Sequence, residues 1–288
     1  MTKTAIESGA YLHHIHLHSP DPGALARFYA DTMDMPDIAE ADGAFIVSGP
    51  RRQVVFSAGP ARKLAAAAFA CRDQVALAGL FGRAEDQGLS PQPAKSPLLD
   101  QGAFAVRDPD GNQVVFGLVR PGNEIRPVSG TASRAGIHGP IQHLTLASQD
   151  IAAIEGFYAG KLGFAVSDRV RNEKGEVTTC FMRSNHEHHT LACFLHRDRN
   201  GIDHHSYEAG DFMTIRDWAD RFSEREIKLM WGPGRHGPGN NLFIFITDPD
   251  GNWIEVSAEL ETVYDRPVQE WPHVERTLNL WGDGLMRA

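Results

Sequence analysis

IQHLTLASQDIAAIEGFY (141–158), followed by TDPDGNWIEVS (247–257), decides the fold, because the chain writes this pair of phrases twice. Near its start it reads HHIHLHSPDPGALARFY (13–29), and at 107–117 it reads RDPDGNQVVFG. Placing FY on FY sets His14 opposite His143, and placing DPDGN on DPDGN sets Val115 opposite Glu255. One copy keeps a histidine and a carboxylate at its two signature positions; the other has lost the carboxylate. Repetition on this scale governs the architecture and is read before any local feature.

Working outward, four segments share the order strand, helix, strands. Helices are expected after Ser19 or Asp21, with Leu25, Phe28 and Tyr29 on one side, and after Asp73, with Val75, Leu80, Phe81 and Ala84 at helical spacing. Two more are expected near Ser148 or Asp150 and after Asp211. Each opens with Ser or Asp, whose side-chain oxygen accepts from the orphan N–H groups of a first turn. Short β-type runs follow every helix, among them AFIVSG, NQVVFGLV, TTCFMRS and NWIEVSA. In DPDGN, Asp and Asn tolerate left-handed backbone and Gly supplies it, so both copies predict turns between strands. The sum is four βαβββ units paired into two domains, an α+β fold in which each pair forms a curved mixed sheet. The expected boundaries are 1–120 for the first domain, 121–139 for a Pro-, Gly- and Ser-containing linker, and 140–260 for the second. The tail, 261–288, is expected to pack on the surface.

The bulk numbers narrow the class. A chain of 288 residues with 42% hydrophobic and 23% charged residues buries a large core and reads as globular. Its net charge of −9 argues against a nucleic-acid partner, which needs a basic footprint. No run approaches the roughly 20 apolar residues of a membrane span, and the N-terminus has no apolar signal region. Cys71, Cys180 and Cys193 are odd in number and sparse, which fits buried thiols in a reducing cytoplasm.

The chemistry concentrates in the second half. Alternation along 141–148 puts His143 and Thr145 on one face and Leu144 and Leu146 on the other. His205 opens the equivalent strand of the fourth unit, and Glu255 lies in an otherwise apolar strand, where a carboxylate is costly to bury without compensation. Alone, each has a commoner structural reading, as a hydrogen-bonded core histidine or a solvent-facing glutamate. Together, two imidazoles and a carboxylate from three strands make a site that leaves three metal positions open, the pattern of non-haem Fe(II) oxygenases. The repeat supplies a control: with Asp73 on Asp211, the first half offers His14, Ala67 and Val115 where the second offers His143, His205 and Glu255. Folding therefore needs neither His205 nor Glu255 at those places. The first-half run HHIHLH puts His14, His16 and His18 on one strand face, but Ala67 and Val115 opposite them argue against a second metal site.

On IQHLTLAS, NHEHHTLAC, DHHSYE and WGPGRHGPGNNLFIFITDPDGNWIEV, the chain resembles the vicinal oxygen chelate superfamily. Its second half is similar to the type I extradiol ring-cleaving dioxygenases of the catechol and homoprotocatechuate 2,3-dioxygenase kind. The resemblance implies Fe(II), with Mn(II) as the occasional substitute, held by His143, His205 and Glu255. It implies His189 as the acid–base histidine and His236 as the one that hydrogen-bonds substrate and intermediates. His189 is preferred to His188 because the strand-like TLACF follows it. The family's tyrosine nine residues after the GRHG histidine is here Phe245, which has no hydroxyl; Tyr207, two residues after His205, is the candidate replacement. Trp231, Phe245, Tyr207 and Thr145 are the expected substrate-contacting residues, with Trp253 a further aromatic for the pocket. The implied reaction inserts both atoms of O2 into a catechol-type compound and opens the ring beside the two hydroxyls, in a homo-oligomer. The alternatives are a glyoxalase-like metal-dependent isomerase or lyase, and a non-catalytic aromatic-binding module of the same fold.

Overall fold

The computed structural model describes residues 1–124 and 139–286, so most of the expected linker lies outside the described residues. The first unit runs β1 (Tyr11–Ser19), α1 (Pro22–Thr32), β2 (Asp37–Ala41), β3 (Ala44–Gly49) and β4 (Arg52–Ala58). The second runs β5 (Lys63–Ala70), α2 (Gln74–Asp86), β6 (Gln92–Pro93), β7 (Phe104–Arg107) and β8 (Gln113–Gly117). The third is β9 (Ile141–Ser148), α3 (Ile151–Glu155) widening into π-helical turns over Gly156–Leu162, β10 (Ala165–Arg171), β11 (Val177–Arg183) and β12 (Leu191–Leu195). The fourth is β13 (Gly201–Gly210), α4 (Phe212–Glu224), β14 (Trp231–Arg235), β15 (Leu242–Thr247) and β16 (Trp253–Ala258); β17 (Gln269–Pro272) and α5 (Glu275–Leu278) close the chain.

The strands form two mixed sheets, ordered β2-β3-β4-β1-β5-β8-β7-β6 and β14-β15-β16-β13-β9-β12-β11-β10-β17. In each, the first strands of the two units pair antiparallel at the centre, β1 on β5 and β9 on β13. Each unit's last strand returns parallel beside its first. The expected helix starts are the observed ones: Asp21, Asp73, Asp150 and Asp211 each accept a backbone N–H from their own first turn, at 2.7–2.9 Å. One face of both sheets looks into a single shared core that includes Tyr29, Phe56 and Phe69 from the first half and Leu144, Tyr158 and Trp218 from the second. The opposite faces are left free for chemistry.

The repeated phrases lock the halves together. Tyr29, from the first FY, donates to Asp248 Oδ2 of the second DPDGN at 3.1 Å, and Tyr158, from the second FY, donates to Asp108 Oδ2 of the first at 3.1 Å. Each aspartate also accepts two backbone N–H groups and the Asn side chain of its own turn. A second reciprocal pair joins helix to helix. Arg221 of α4 donates to the carbonyls of Asp31 and Thr32 at the end of α1, and Arg83 of α2 donates to those of Gly160 and Lys161 after α3. Cations there satisfy orphan carbonyls and oppose the negative helix end.

The tail does more than cover surface. Its β17 adds a parallel strand to β10, and α5 brings Thr277 and Leu278 to the wall of the second half's cavity. Among the described residues no helix is long and apolar enough to cross a membrane.

Candidate metal centre

The face of the second sheet turned away from the core gathers His143 from β9, His204 from β13 and Glu255 from β16. Their ligand atoms lie within 4.8 Å of one another, and all three side chains are buried. Register explains the meeting: Ser206 pairs with His143 across β13 and β9, and Ser206 pairs with Glu255 across β13 and β16. Residues 204 and 206 therefore share a face with His143 and Glu255, while residues 205 and 207 point the other way.

This corrects the expected set, in which His205 was the second imidazole. His205 pairs with Leu144 and turns into the core, where its Nε2 lies 3.2 Å from the Tyr29 hydroxyl and its ring stacks on that of Tyr29. Since the single Tyr29 proton goes to Asp248, His205 presents Nε2–H to the phenol oxygen. Burial pushes its pKa down to about 3, which keeps it neutral. Tyr207 is corrected with it: it is fully buried in the same core, with the Arg52 guanidinium 5.4 Å from its ring centroid, and does not reach the cavity. Trp253 packs behind Phe245 rather than lining the pocket.

The three groups are held in detail. His143 Nε2 is 2.9 Å and His204 Nε2 3.4 Å from Glu255 Oε2. His204 Nδ1–H donates to Asp203 Oδ2 at 2.8 Å, which fixes its tautomer and leaves Nε2 for the site. Asp203 in turn is held by Arg199 at 3.2 Å. Asn241 donates to Glu255 Oε1 at 3.2 Å and to Ser257. Burial alone would push Glu255 up, but the three neighbouring imidazoles overcome it and hold the carboxyl well below its usual range. Burial pulls the His204 imidazole down, yet its bonds to Asp203 and Glu255 outweigh that and raise it; at His143 burial wins and the shift is downward. A buried carboxylate ringed by imidazole nitrogens, with no Lys or Arg among the described residues lining it, is a donor set that fits a divalent cation.

Two further histidines flank the group. The His189 ring lies 4.2 Å from that of His143, and its Nδ1 is 2.9 Å from His188 Nδ1. His188 Nε2 reaches Asp168 at 3.0 Å, and Asp168 also takes Trp271 Nε1–H of the tail and Arg266. Burial holds His189 well below the usual histidine range. His236 lies across the cavity with Nε2 3.6 Å from Glu255 Oε1, its ring stacked on Phe243 and its Nδ1–H donating to the Leu278 carbonyl. Gly237 permits that tail contact, because a Cβ there would stand 2.9 Å from the Thr277 carbonyl oxygen.

These side chains open on a cavity enclosing ≈ 430 Å³ of space between atoms, mouth included. Phe181, Phe194, Trp231, Phe245 and Leu278 supply its apolar walls, and Thr145 and Asn241 its remaining polar atoms. Phe245 is the cross-strand partner of Glu255, so this position lacks a hydroxyl beside the carboxylate itself. Thr145 Oγ1 and Asn241 Oδ1 are buried there without a hydrogen-bond partner among the described protein atoms. The equivalent face of the first half has His14, with Ala66 in the register of His204 and Val115 in that of Glu255. Among the described residues no other triad of ligand atoms comes together.

Residues 140–256 match the model of the Glyoxalase/Bleomycin resistance protein/Dioxygenase superfamily. That match runs from β9 into β16, the second half of the chain. Among curated relatives, metapyrocatechase 2 of Cupriavidus necator is 26% identical over 64% of this chain and 61% of its own length. A manganese-dependent 2,3-dihydroxybiphenyl 1,2-dioxygenase of Geobacillus genomosp. 3 is 25% identical over 57% and 51%. The chain thus spans about half to three fifths of the length of these relatives. The likeness of fold to solved structures extends over both halves. The Mn(II)-bound glyoxalase from Novosphingobium aromaticivorans superposes with a TM-score of 0.81 over 99% of this chain and 94% of its own, at 21% identity. Homoprotocatechuate 2,3-dioxygenase from Brevibacterium fuscum, solved as an anaerobic complex with 3,4-dihydroxyphenylacetate, superposes with a TM-score of 0.77 over 96% and 89%, at 19% identity.

Proposed function

We propose that this protein opens the ring of a catechol-type compound with O2, at an Fe(II) ion held by His143, His204 and Glu255. The observation that carries the reading is the buried two-imidazole, one-carboxylate group facing a cavity with a further imidazole on either side. The names of the superfamily relatives point the same way. Bound there, the metal would supply Lewis acidity toward the two hydroxyl oxygens and the electrons that O2 chemistry needs.

The chain's own residues position the substrate and move its protons. The apolar walls sandwich an aromatic ring and exclude water, so that O2 and ring are held in reach of one another. His236 spends its Nδ1–H on the Leu278 carbonyl, which leaves Nε2 to accept a hydroxyl proton. His189, neutral in its buried seat and braced through His188 and Asp168, takes up the second proton as the substrate becomes an anion. It returns that proton as the oxygen–oxygen bond breaks. With Phe245 at the neighbouring position, no tyrosine shares this task. The three cysteines are free and buried, which fits a reducing cytoplasm as the setting.

A glyoxalase-like isomerisation is the second reading, favoured by the superposition on the Mn(II)-bound glyoxalase. The donor set argues against it, since among the described residues Glu255 is the only carboxylate lining the cavity. Anaerobic loading with Fe(II), then exposure to air and a panel of catechols, decides between them. Stoichiometric O2 uptake with a new ring-opened chromophore is expected; a metal-loaded protein that consumes no O2 with any catechol ends the first reading.

His189→Gln should lower kcat by about 100-fold or more, as loss of a general acid–base does, while metal content stays near that of the parent protein. Metal analysis beside steady-state kinetics checks both. Loss of the metal in this variant would move His189 from proton transfer into the ligand set.

A further inference from the structure

The sequence admits plain, alkylated, aryl-substituted and carboxylated catechols and hydroxylated heterocycles alike, and the charges around the cavity bear on the choice. Among the described residues no lysine or arginine lines it. The guanidiniums that approach from behind are already engaged: Arg199 on Asp203 at 3.2 Å, Arg266 on Asp168 at 2.9 Å and Arg235 on Glu259 at 2.7 Å. The acidic groups, by contrast, sit close to the ligand set. Glu255 is part of it, and Asp203 and Asp168 stand directly behind His204 and His188. A carboxylate carried in on a substrate would lose its water and meet no cation.

Beside Glu255, His204 and His236 the cavity has an apolar end. Phe194, Trp231, Phe243, Phe245 and Leu278 form one buried cluster there, with Met230 and Leu285 packed against it. The tail fixes this end. Leu278 is 7% exposed, and the Trp231 indole N–H donates to the Asp283 carbonyl at 2.9 Å, so the apolar wall is built from both β14 and the tail.

We infer that the substrate is an uncharged catechol whose ring substituent is apolar, alkyl or aryl, and that the cluster of Phe194, Trp231, Phe245 and Leu278 receives this substituent while rejecting carboxylated catechols. The inference rests on the ring-cleavage reading above and sharpens its substrate class. Uncompensated burial of a carboxylate is among the costlier events in binding. The homoprotocatechuate enzyme was solved with an arylacetate, so a shared fold does not settle the matter.

The experiment compares 3-phenylcatechol, 3-methylcatechol, catechol, protocatechuate and 3,4-dihydroxyphenylacetate on the metal-loaded protein. It measures kcat/KM in air and binding by anaerobic titration calorimetry. The apolar catechols should bind and turn over at least about a hundredfold better than the two carboxylated ones, the discrimination expected when a buried charge goes unpaired. Leu278→Arg should narrow the gap by about tenfold or more, by placing a guanidinium in the apolar end. Carboxylated catechols that bind or react as well as 3-phenylcatechol overturn the inference and leave ring cleavage intact. Catechols that bind in the expected order without consuming O2 uphold the charge selection and overturn ring cleavage. A protein that binds no catechol overturns both.

Discussion

His204→Ala should strip the protein of its metal, whereas His205→Ala, one residue along, should keep the metal and weaken the fold. His204 points Nε2 at Glu255 and is braced by Asp203, so its loss leaves one imidazole and one carboxylate, with affinity falling by at least about a hundredfold. His205 faces the shared core, stacked on Tyr29 and bonded to its hydroxyl. Truncating it removes a buried ring and a hydrogen bond, a cost of about 2–4 kcal/mol. The metal content of each variant after Fe(II) loading and gel filtration, and urea unfolding of the metal-free proteins, separate the two effects. Metal-free protein is needed because bound metal would itself stabilise the native state. If His205→Ala emerges without metal and His204→Ala retains it, the strand faces assigned here are reversed.

The same two histidines show where the sequence stopped being legible. The units, the four helix starts and the strands around DPDGN were readable, because caps and alternation are local. The phase of β13 was not. Alternation counted from Ile202, a core residue, sends His204 to the core as well and His205 to the site. A bulge between Ile202 and His204 resets the count, and such irregularities beside active sites re-aim side chains. The first half could not warn of this, since it carries alanine at both 66 and 67, so either phase gives the same contrast. Once β13 is turned, Tyr207 follows His205 into the core and ceases to stand in for the missing hydroxyl at Phe245. His143, Glu255, His189, His236, Thr145, Trp231 and Phe245 all line the cavity, because each lies on a strand without a bulge before it or in a loop whose motif fixed its place. Asn241, Phe181 and Phe194 carried no signal beyond ordinary strand composition. The share of Thr277 and Leu278 was hidden for another reason. It depends on β17 adding to the far edge of the sheet, a long-range pairing that the Pro-containing tail does not advertise.

The repeat itself changed meaning in the structure. As sequence, FY is helix pattern and DPDGN is turn chemistry; in the fold each FY tyrosine donates to the aspartate of the other half's turn. This makes Asp248 and Asp108 joints between halves as well as turn residues. Asp248→Ala should therefore cost about 3–5 kcal/mol, well beyond an exposed turn aspartate. It takes the acceptor from two backbone N–H groups, the Asn252 amide and the Tyr29 O–H, all buried except the partly buried Asp250 N–H. Tyr158→Phe, which removes the donor alone, should cost about 1–2 kcal/mol, and Tyr29→Phe, which also takes the acceptor from His205, about 2–3 kcal/mol. The cost of Tyr29→Phe should fall by about 1 kcal/mol in the Asp248→Ala background, because the two side chains share one bond while the Tyr29–His205 bond is independent of Asp248. Urea denaturation of the four proteins in that cycle measures the coupling. A coupling indistinguishable from zero, or an Asp248→Ala cost within about 0.5 kcal/mol of a surface substitution, would return DPDGN to the status of a turn. The expected coupling instead accounts for both phrases standing in the first half where Val115 lies opposite Glu255: Asp108 and Tyr29 hold the second half in place whatever residue occupies position 115.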